Sequence, residues 1–330
     1  MVESDGVIVK VNTVGICGSD IHFYQSGRAI GNIPGHEFSG DIVEIGANIT
    51  SVGKGDRITV LSGRGCGECY WCQRGEWIRC SKMGFLGISL PGAFAEYVSV
   101  PNFELGLYAA KLPKTLSYEE GATAEPLSVA LHAVTQVQPQ PEDTVVVIGA
   151  GIIGICIIQI LKSLGVSQII VSGRRAKRLQ LAKKGGADIV VNAAKDDIVP
   201  IVNELNSGKK ADIVFDVAGT ETTFRQALQM VHKGGKVDLV GLYQQSFDWR
   251  PTYIVVNDIS LIGCGLRFDL PGAIDLMEKG KVNTKPLITH QFPLDRVKEA
   301  FDTQLRIDEA IKVLVKIYDK DSFSHSQRSE

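Results

Sequence analysis

The chain has 330 residues, 44% of them hydrophobic and 22% charged, with 35 glycines and a formal net charge of −2, which fits an ordinary globular protein of about two domains. A charge balance so near neutral lacks the basic footprint of a nucleic-acid binder. No run of about 18 apolar residues is present, and the start "MVESDGVIVK" has neither the basic segment nor the apolar core of a secretory signal; the expectation is a cytoplasmic protein with reduced thiols and no membrane partner.

Residues 1 to about 113 are rich in Gly, Val and Ile. Short alternating runs such as "GVIVKVNTVG", "GDIVEIG" and "DRITVLSG", broken by Gly, Asn and Asp, predict many short strands of a folded-over β domain with little helix. Metal-binding side chains are scattered along this region and just past it. "GICGSDIHFY" offers Cys17, Ser19, Asp20 and His22, "IPGHEFSGDIVEIG" offers His36 and Glu37, and "TAEPLSVALHA" offers Glu125. One thiolate, one imidazole and one or two carboxylates from separated loops suit a catalytic zinc shell, because three protein ligands leave a position for water or substrate. Taken singly, each has a plainer explanation: a buried Cys packs as a small apolar residue, a His beside Glu serves surface or cap chemistry, and Glu125 before Pro126 begins a helix.

Between them, "GRGCGECYWCQRGEWIRC" sets Cys66, Cys69, Cys72 and Cys80 two, two and seven residues apart. A disulfide knot, a redox pair and a metal site compete for this spacing, and a reducing compartment favours the metal. Zinc accepts four thiolates in a tetrahedron, and a closed shell leaves no place for substrate, so the site reads as structural zinc folding a lobe that lacks apolar residues of its own. A nucleic-acid-binding ribbon would need basic and aromatic surroundings, whereas Arg64, Arg74 and Arg79 sit among Glu68 and Glu76.

From about 117 the pattern changes. "SYEEGATAEPLSVALHAVTQV" carries apolar residues at helical spacing, and strand-like and helix-like segments then alternate through "TVVVIGAG", "IIGICIIQILKSLG", "QIIVSG", "AKRLQLAKKGG", "ADIVVNA", "ADIVFDVAG" and "KVDLVGL", which predicts a parallel sheet covered on both faces. Gly149, Gly151 and Gly154 form G-x-G-x-x-G between an all-apolar strand and a helix, the arrangement that seats a pyrophosphate on a helix N-terminus. The second strand ends in Ser172 and Gly173 where NAD sites place an acid, and Arg174, Arg175 and Arg178 follow, so NADP(H) is preferred over NAD(H); Lys177 and some of these arginines also fit a solvated basic helix start. Cys156 and Cys264 read as packing residues. The last 60 or so residues mix element types and end in a polar tail, "DKDSFSHSQRSE", expected to be disordered.

Taken together, "GICGSDIH", "PGHEFSGDIVEIG", "VGKGDRI", the four-cysteine lobe, "GAFAEYVSV", "EPLSVALHAV", "VIGAGIIG" and "KPLITHQFPLDRVKEAF" resemble, in order and spacing, the zinc-dependent medium-chain alcohol and polyol dehydrogenases. The resemblance covers nearly the whole chain except the tail and is nearest to the sorbitol, xylitol and L-arabinitol dehydrogenase branch, with the butanediol and threonine dehydrogenases close by. It implies an α/β chain: a GroES-like β-rich catalytic domain over 1–126 with a zinc lobe at 63–81, a doubly wound parallel-sheet Rossmann domain over 127–266, and a return to the catalytic domain with the tail over 267–330. It further implies that Cys17, His36 and Glu37 bind the catalytic zinc, that Glu125 binds it or holds its water, and that Cys66, Cys69, Cys72 and Cys80 bind the structural one. Gly149, Gly151, Ile153 and Gly154 match the cofactor loop, Arg178 follows the ribose position, Val240, Leu242 and Leu266 fall in segments lining the nicotinamide, and Arg267 matches a substrate-side arginine. Phe23 and Phe268 stand where sorbitol-type enzymes often have tyrosine, which removes two hydroxyl contacts to substrate. The family usually carries about two dozen more residues before "GVIVKV", so an uncovered sheet edge is expected there.

The resemblance implies reversible oxidation of a secondary alcohol, in a polyol or vicinal diol, to a ketone, with Ser19 passing the proton outward, His22 as the next carrier and Glu125 as a base. A homodimer or homotetramer is expected, with "KVDLVGL" and "LIGCGL" as pairing edges. The second reading is a structural or regulatory NADPH-binding protein without turnover, which has no need of the Cys17, His36 and Glu37 set.

Overall fold

The computed structural model of the chain describes residues 2–27 and 31–317, with the backbone alone at 206 and 207; the polar tail lies outside the described residues. The strands, in chain order, are β1 (Val7–Gly15), β2 (Glu37–Ile45), β3 (Arg57–Val60), β4 (Gly63–Arg64), β5 (Gly84–Phe85), β6 (Tyr97–Val100), β7 (Ala109–Lys111), β8 (Thr144–Ile148), β9 (Gln168–Gly173), β10 (Ile189–Asn192), β11 (Ala211–Asp216), β12 (Val231–Leu239), β13 (Ser260–Gly263), β14 (Ile288–Pro293) and β15 (Lys312–Lys316). Two compact units share them: one is Met1–Ser128 with Phe268–Lys279 and Thr284–Glu330, the other Val129–Arg267 with Gly280–Asn283.

The first unit is built on a mixed sheet ordered β14, β15, β1, β2, β3, β7, with β6 also paired to β1. β1 is its hub. Val7, Val9, Val11 and Val14 are fully buried, and the strand pairs antiparallel with β2, β6 and β15. Phe38, Ile58, Val60, Val313 and Val315 close the core around it, each such side chain contributing on the order of 1.5–3 kcal/mol by leaving water. Two expectations need correction. Helix α1 (Gly18–Ser26) follows β1 directly where loop was expected, and Glu37 opens β2 instead of lying in a loop. α1 buries only Asp20, so it has no apolar face to announce it; its start is set by Asp20, whose Oδ2 accepts the Cys17 amide at 2.9 Å.

Helix α2 (Tyr118–Ala122) begins on a capping box, in which the Ser117 hydroxyl accepts from the Glu120 amide at 3.2 Å and Glu120 Oε2 accepts from the Ser117 amide at 2.9 Å. Helix α3 (Ala124–Val137) then carries the chain into the second unit, where six parallel strands run in the order β10, β9, β8, β11, β12, β13. All of β8 is buried, as a strand covered on both faces requires. Strand order reverses at β8, and the loop leaving that point holds Gly149 and Gly151 before helix α4 (Ile152–Ser163), whose first turn holds Gly154. Cys156 is buried in α4, and the Cys264 thiol lies 3.9 Å from the Val129 carbonyl. No helix among the described residues is long and apolar enough to cross a membrane.

One buried charge in the second unit is unconnected with its glycine loop. Asp238, the last but one residue of β12, is fully buried between Phe215 and Ile262 of the flanking strands, and Gln136 Nε2 donates to its two oxygens at 2.9 and 3.0 Å. Burial outweighs these hydrogen bonds and pushes the carboxyl from 3.8 up to about 6. A folded pKa above the unfolded one means that the group's stabilising contribution is complete below about pH 4 and is lost as pH rises to about 6. Asp238→Asn keeps an acceptor for Gln136 and removes the charge. It is expected to be more stable than the unaltered protein at pH 8, on the order of 2 kcal/mol, with the gap closing near pH 4, as read from urea denaturation across pH.

Candidate metal centres and cofactor site

The first unit brings Cys17, His36 and Glu37 together: the sulfur, a ring nitrogen and a carboxylate oxygen all lie within 4.8 Å of one another. Cys17 caps α1, and Glu37 pairs across the sheet with Gly15, the last residue of β1. Asp20, 1% exposed, accepts the Gly35 amide at 3.4 Å through Oδ1, which also lies 3.8 Å from His36 Nδ1. That is too long for a hydrogen bond, so His36 Nδ1 is buried without one. Lys312, the first residue of β15, donates to the Ile16 carbonyl at 2.8 Å and to Glu37 Oε2.

The electrostatics follow from burial. Glu125, in the first turn of α3, is pushed up to about 7 by loss of water, and Asp20 is raised for the same reason. Burial opposes charge on His36, but the sulfur of Cys17 and the carboxyls of Asp20 and Glu125 outweigh it and hold the imidazole well above 6.5. Lys312 is raised likewise, burial being overcome by Glu37 and Cys17. The pocket thus collects positive charge. A sulfur, a nitrogen and an oxygen donor within mutual reach, inside a set of buried acids, fit a zinc ion with one position left open, and binding it would release the protons the site otherwise gathers. Glu125 lies outside that trio of ligand atoms. Ser19 is half-buried on α1; His22, three residues on, is exposed, and Phe23 is half-buried, so Ser19, His22 and Phe23 lie along one helix face.

Cys66, Cys69, Cys72 and Cys80 likewise have their sulfurs within 4.8 Å of one another, and all seven cysteines of the chain are free. Four thiols at that separation fit a closed zinc shell. The lobe is not without apolar residues, contrary to expectation: Trp77 is buried and meets the Tyr108 ring edge-on at 5.2 Å. Arg79 pairs with Glu76 at 2.8 Å, and Arg74 stacks on Tyr70 at 3.7 Å. Arg64 differs from both. It is 1% exposed, none of its guanidinium nitrogens has a hydrogen-bond partner, and the guanidinium stands over the Tyr108 ring at 5.6 Å. Burial pulls its pKa down to about 9.

In the second unit, Gly149 has φ of 115°, which only glycine adopts freely, and its amide donates to the Ser172 carbonyl at 2.8 Å. A Cβ on Gly154 would run into the Gly149 carbonyl, whereas one on Gly151, the N-cap of α4, would meet nothing within 4 Å. The helix start is therefore open to a phosphate, which fits a dinucleotide. Ile153 lies half-buried in the first turn of α4. Ser172 is buried inside β9, leaving Gly173 at the strand end. Arg174 is exposed and Arg175 half-buried, the latter preceding helix α5 (Ala176–Lys184), on which Arg178 is half-buried. Val240 is buried, Leu266 half-buried, and Leu242 and Arg267 exposed.

The comparisons with known proteins agree with this architecture. Residues 3–113 match the alcohol dehydrogenase GroES-like domain, and residues 153–279 match the zinc-binding dehydrogenase domain. The chain is 37% identical over 321 residues to D-arabitol-phosphate dehydrogenase of Enterococcus avium, covering 94% of this chain and 90% of that one. It is 34% identical over 326 residues to sorbitol dehydrogenase of Bacillus subtilis, covering 95% and 91%. The solved alcohol dehydrogenase of Thermus sp. ATN1 superposes with a TM-score of 0.88 at 31% identity, covering 96% and 93%. The chain belongs to the zinc-type, GroES-like medium-chain alcohol dehydrogenase family. Within that family it stands near the sorbitol dehydrogenase branch and is an alcohol or polyol oxidoreductase.

Two residues of the first unit, Lys312 and Gly15, have no place among the sequence candidates, and Arg64, expected among the charges of the cysteine lobe, is buried instead. Lys312 had one signal, a lysine inside the strand-like run "IKVLVKI", where a covered strand calls for apolar residues. For Arg64 a consequence follows at once. A buried cation without an anion is a cost that a well-packed apolar side chain does not carry. Arg64→Met is expected to raise the unfolding free energy by up to about 4 kcal/mol, seen as a higher urea midpoint; a lower midpoint would reveal an anionic partner for the guanidinium.

Proposed function

We propose that this protein uses zinc and a nicotinamide cofactor to oxidise a secondary alcohol of a polyol or vicinal diol to a ketone, and reverses the reaction when the cofactor is reduced. The observation that carries the reading is the approach of Cys17, His36 and Glu37 donor atoms to within 4.8 Å, since a structural or regulatory binder has no use for an open three-ligand set. When bound, zinc supplies the Lewis acidity that makes a substrate hydroxyl easier to ionise, and the nicotinamide supplies the hydride acceptor. Cys17, His36 and Glu37 hold the metal, and Cys66, Cys69, Cys72 and Cys80 hold the structural one. The Ser19 hydroxyl takes the substrate proton and hands it to the exposed His22 ring, three residues along α1. Glu125, whose carboxyl changes charge at about 7, acts as a base beside the metal and not as a ligand. Phe23 and Arg267 contact substrate, with Phe268 near it.

Gly149, Gly151, Ile153 and Gly154 bind the dinucleotide phosphates, and Val240, Leu242 and Leu266 flank the nicotinamide. NADP(H) is preferred, because Ser172 and Gly173 present no carboxylate to repel a 2′-phosphate while Arg174, Arg175 and Arg178 offer it cations. Self-association as a dimer or tetramer is supported by β13, the last strand of its sheet, and by Val255 and Val256, which are 76% and 66% exposed. A cytoplasmic home belongs to this reading, since thiolate ligands need a reducing compartment.

Two measurements test this. Sorbitol, xylitol, arabinitol, arabitol phosphate, butanediol and threonine, each offered with NAD+ and NADP+, should yield turnover with at least one polyol or diol, and zinc analysis should find about two ions per chain. Cys17→Ser and Glu37→Gln should each abolish turnover while NADPH binding stays intact. One zinc per chain and no turnover would support the structural or regulatory reading instead. Cofactor choice has its own test. A Cβ at Gly173 would stand 3.1 Å from Ala150 Cβ, so the strand end must give by a few tenths of an ångström, but Gly173→Asp should lower the ratio of NADP+ to NAD+ efficiency at least about ten-fold. An unchanged ratio would place the 2′-phosphate elsewhere.

A further inference from the structure

Glu37 and Lys312 come from strands on either side of β1 and meet over its end. Gly15 pairs with Glu37 on β2 and with Leu314 on β15, so the ion pair between the two outer strands spans the middle one at this glycine. Strands two apart are separated by about 9–10 Å, a gap that only long side chains cross. A Cβ at Gly15 would stand 2.8 Å from Glu37 Oε2 and 3.4 Å from Lys312 Cδ. Gly15 has no left-handed backbone to explain it, so what the glycine supplies here is space. Both partners of the pair are at most 3% exposed. A buried ion pair is seldom worth more to a fold than apolar side chains of the same volume, so its presence beside a metal-ligating set calls for a role there.

We propose that Lys312 is a positioning residue, with Gly15 as its clearance: Lys312 ties down Oε2 of Glu37, the missing side chain of Gly15 leaves room for that oxygen, and Glu37 is thereby limited to one oxygen toward the metal. A carboxylate free to offer both oxygens would fill the position substrate needs. Lys312 acts only through Glu37, and the inference rests on the reading of Cys17, His36 and Glu37 as a metal centre.

The test is the visible absorption of the cobalt-substituted full chain, whose d–d bands weaken as coordination number rises. The cysteine lobe contributes equally to every variant, so difference spectra report the other centre. Lys312→Met should weaken the bands and lower kcat about 10- to 100-fold, with NADPH affinity unchanged. Gly15→Ala, which keeps both charges and displaces Oε2, should weaken them in the same direction. In a Glu37→Gln background, Lys312→Met should add no spectral change. Unaltered bands in Lys312→Met overturn the proposal, as does an equal change with and without Glu37. Should Lys312→Met not fold, unaltered bands in Gly15→Ala overturn it instead. Cobalt content of the unaltered protein tests the underlying reading separately: one ion per chain instead of two removes the centre itself.

Discussion

The need to balance charge out of water governs the first unit. An ion moved from water into a protein interior loses several kcal/mol of solvation unless other charges or hydrogen bonds replace it. This chain buries the carboxyls of Asp20, Glu37 and Glu125 around one thiol and one imidazole, with Lys312 as the buried ammonium among them. One cation does not offset three acids and a sulfur. Protonation lifts part of the imbalance, as the raised positions of Glu125, Asp20 and His36 show, and a dication would lift the rest. Local structure serves the same end: the carboxylate of Asp20 both starts α1 at Cys17 and stands beside His36.

The second unit solves a different problem with different means. Its sheet must bring a backbone end close to a large anion, and it does so by omission: no side chain at Gly151, none at Gly154 and no carboxylate at Gly173. Each gap has its own cause. Gly154 makes room for a carbonyl of its own chain, Gly151 leaves open space before a helix, and a Cβ at Gly173 would stand 3.1 Å from side-chain carbons of both Ala150 and Leu179 at the strand end. The same device recurs in the first unit at Gly15, where the space is filled by an oxygen of Glu37.

What could be read from the sequence was what is local along the chain. Four cysteines within one short loop and three glycines between a strand and a helix each state their chemistry within about twenty residues, and the alternation of β8 to β12 with helices states the parallel sheet. Cys17, His36 and Glu37 were named because their residue types bind metal and because the order of their motifs resembled a family. Lys312 carries no such mark, since a lysine acquires this role only from the strand it pairs beside, 275 residues away from Glu37. Gly15 was hidden for the same reason: its neighbours across the sheet decide what its missing side chain is for. Helix α1 was hidden because a helix that buries one aspartate shows no apolar period. Trp77 was in plain view between two of the ligands, but nothing in the spacing said it would turn inward.

The separation of Lys312 from its partner also sets an order of assembly during synthesis. The ribosome delivers Cys17, His36 and Glu37 early, then the four-cysteine lobe, then the whole six-stranded sheet, and only afterwards the strand bearing the ammonium. Until then β1 lacks the neighbour β15, and its edge stays open to wrong pairing. The four cysteines emerge together in one short loop, whereas Cys17, His36 and Glu37 meet Lys312 only once β15 has been made. The chain thus carries its buried acids without their ammonium until almost all of it has been made.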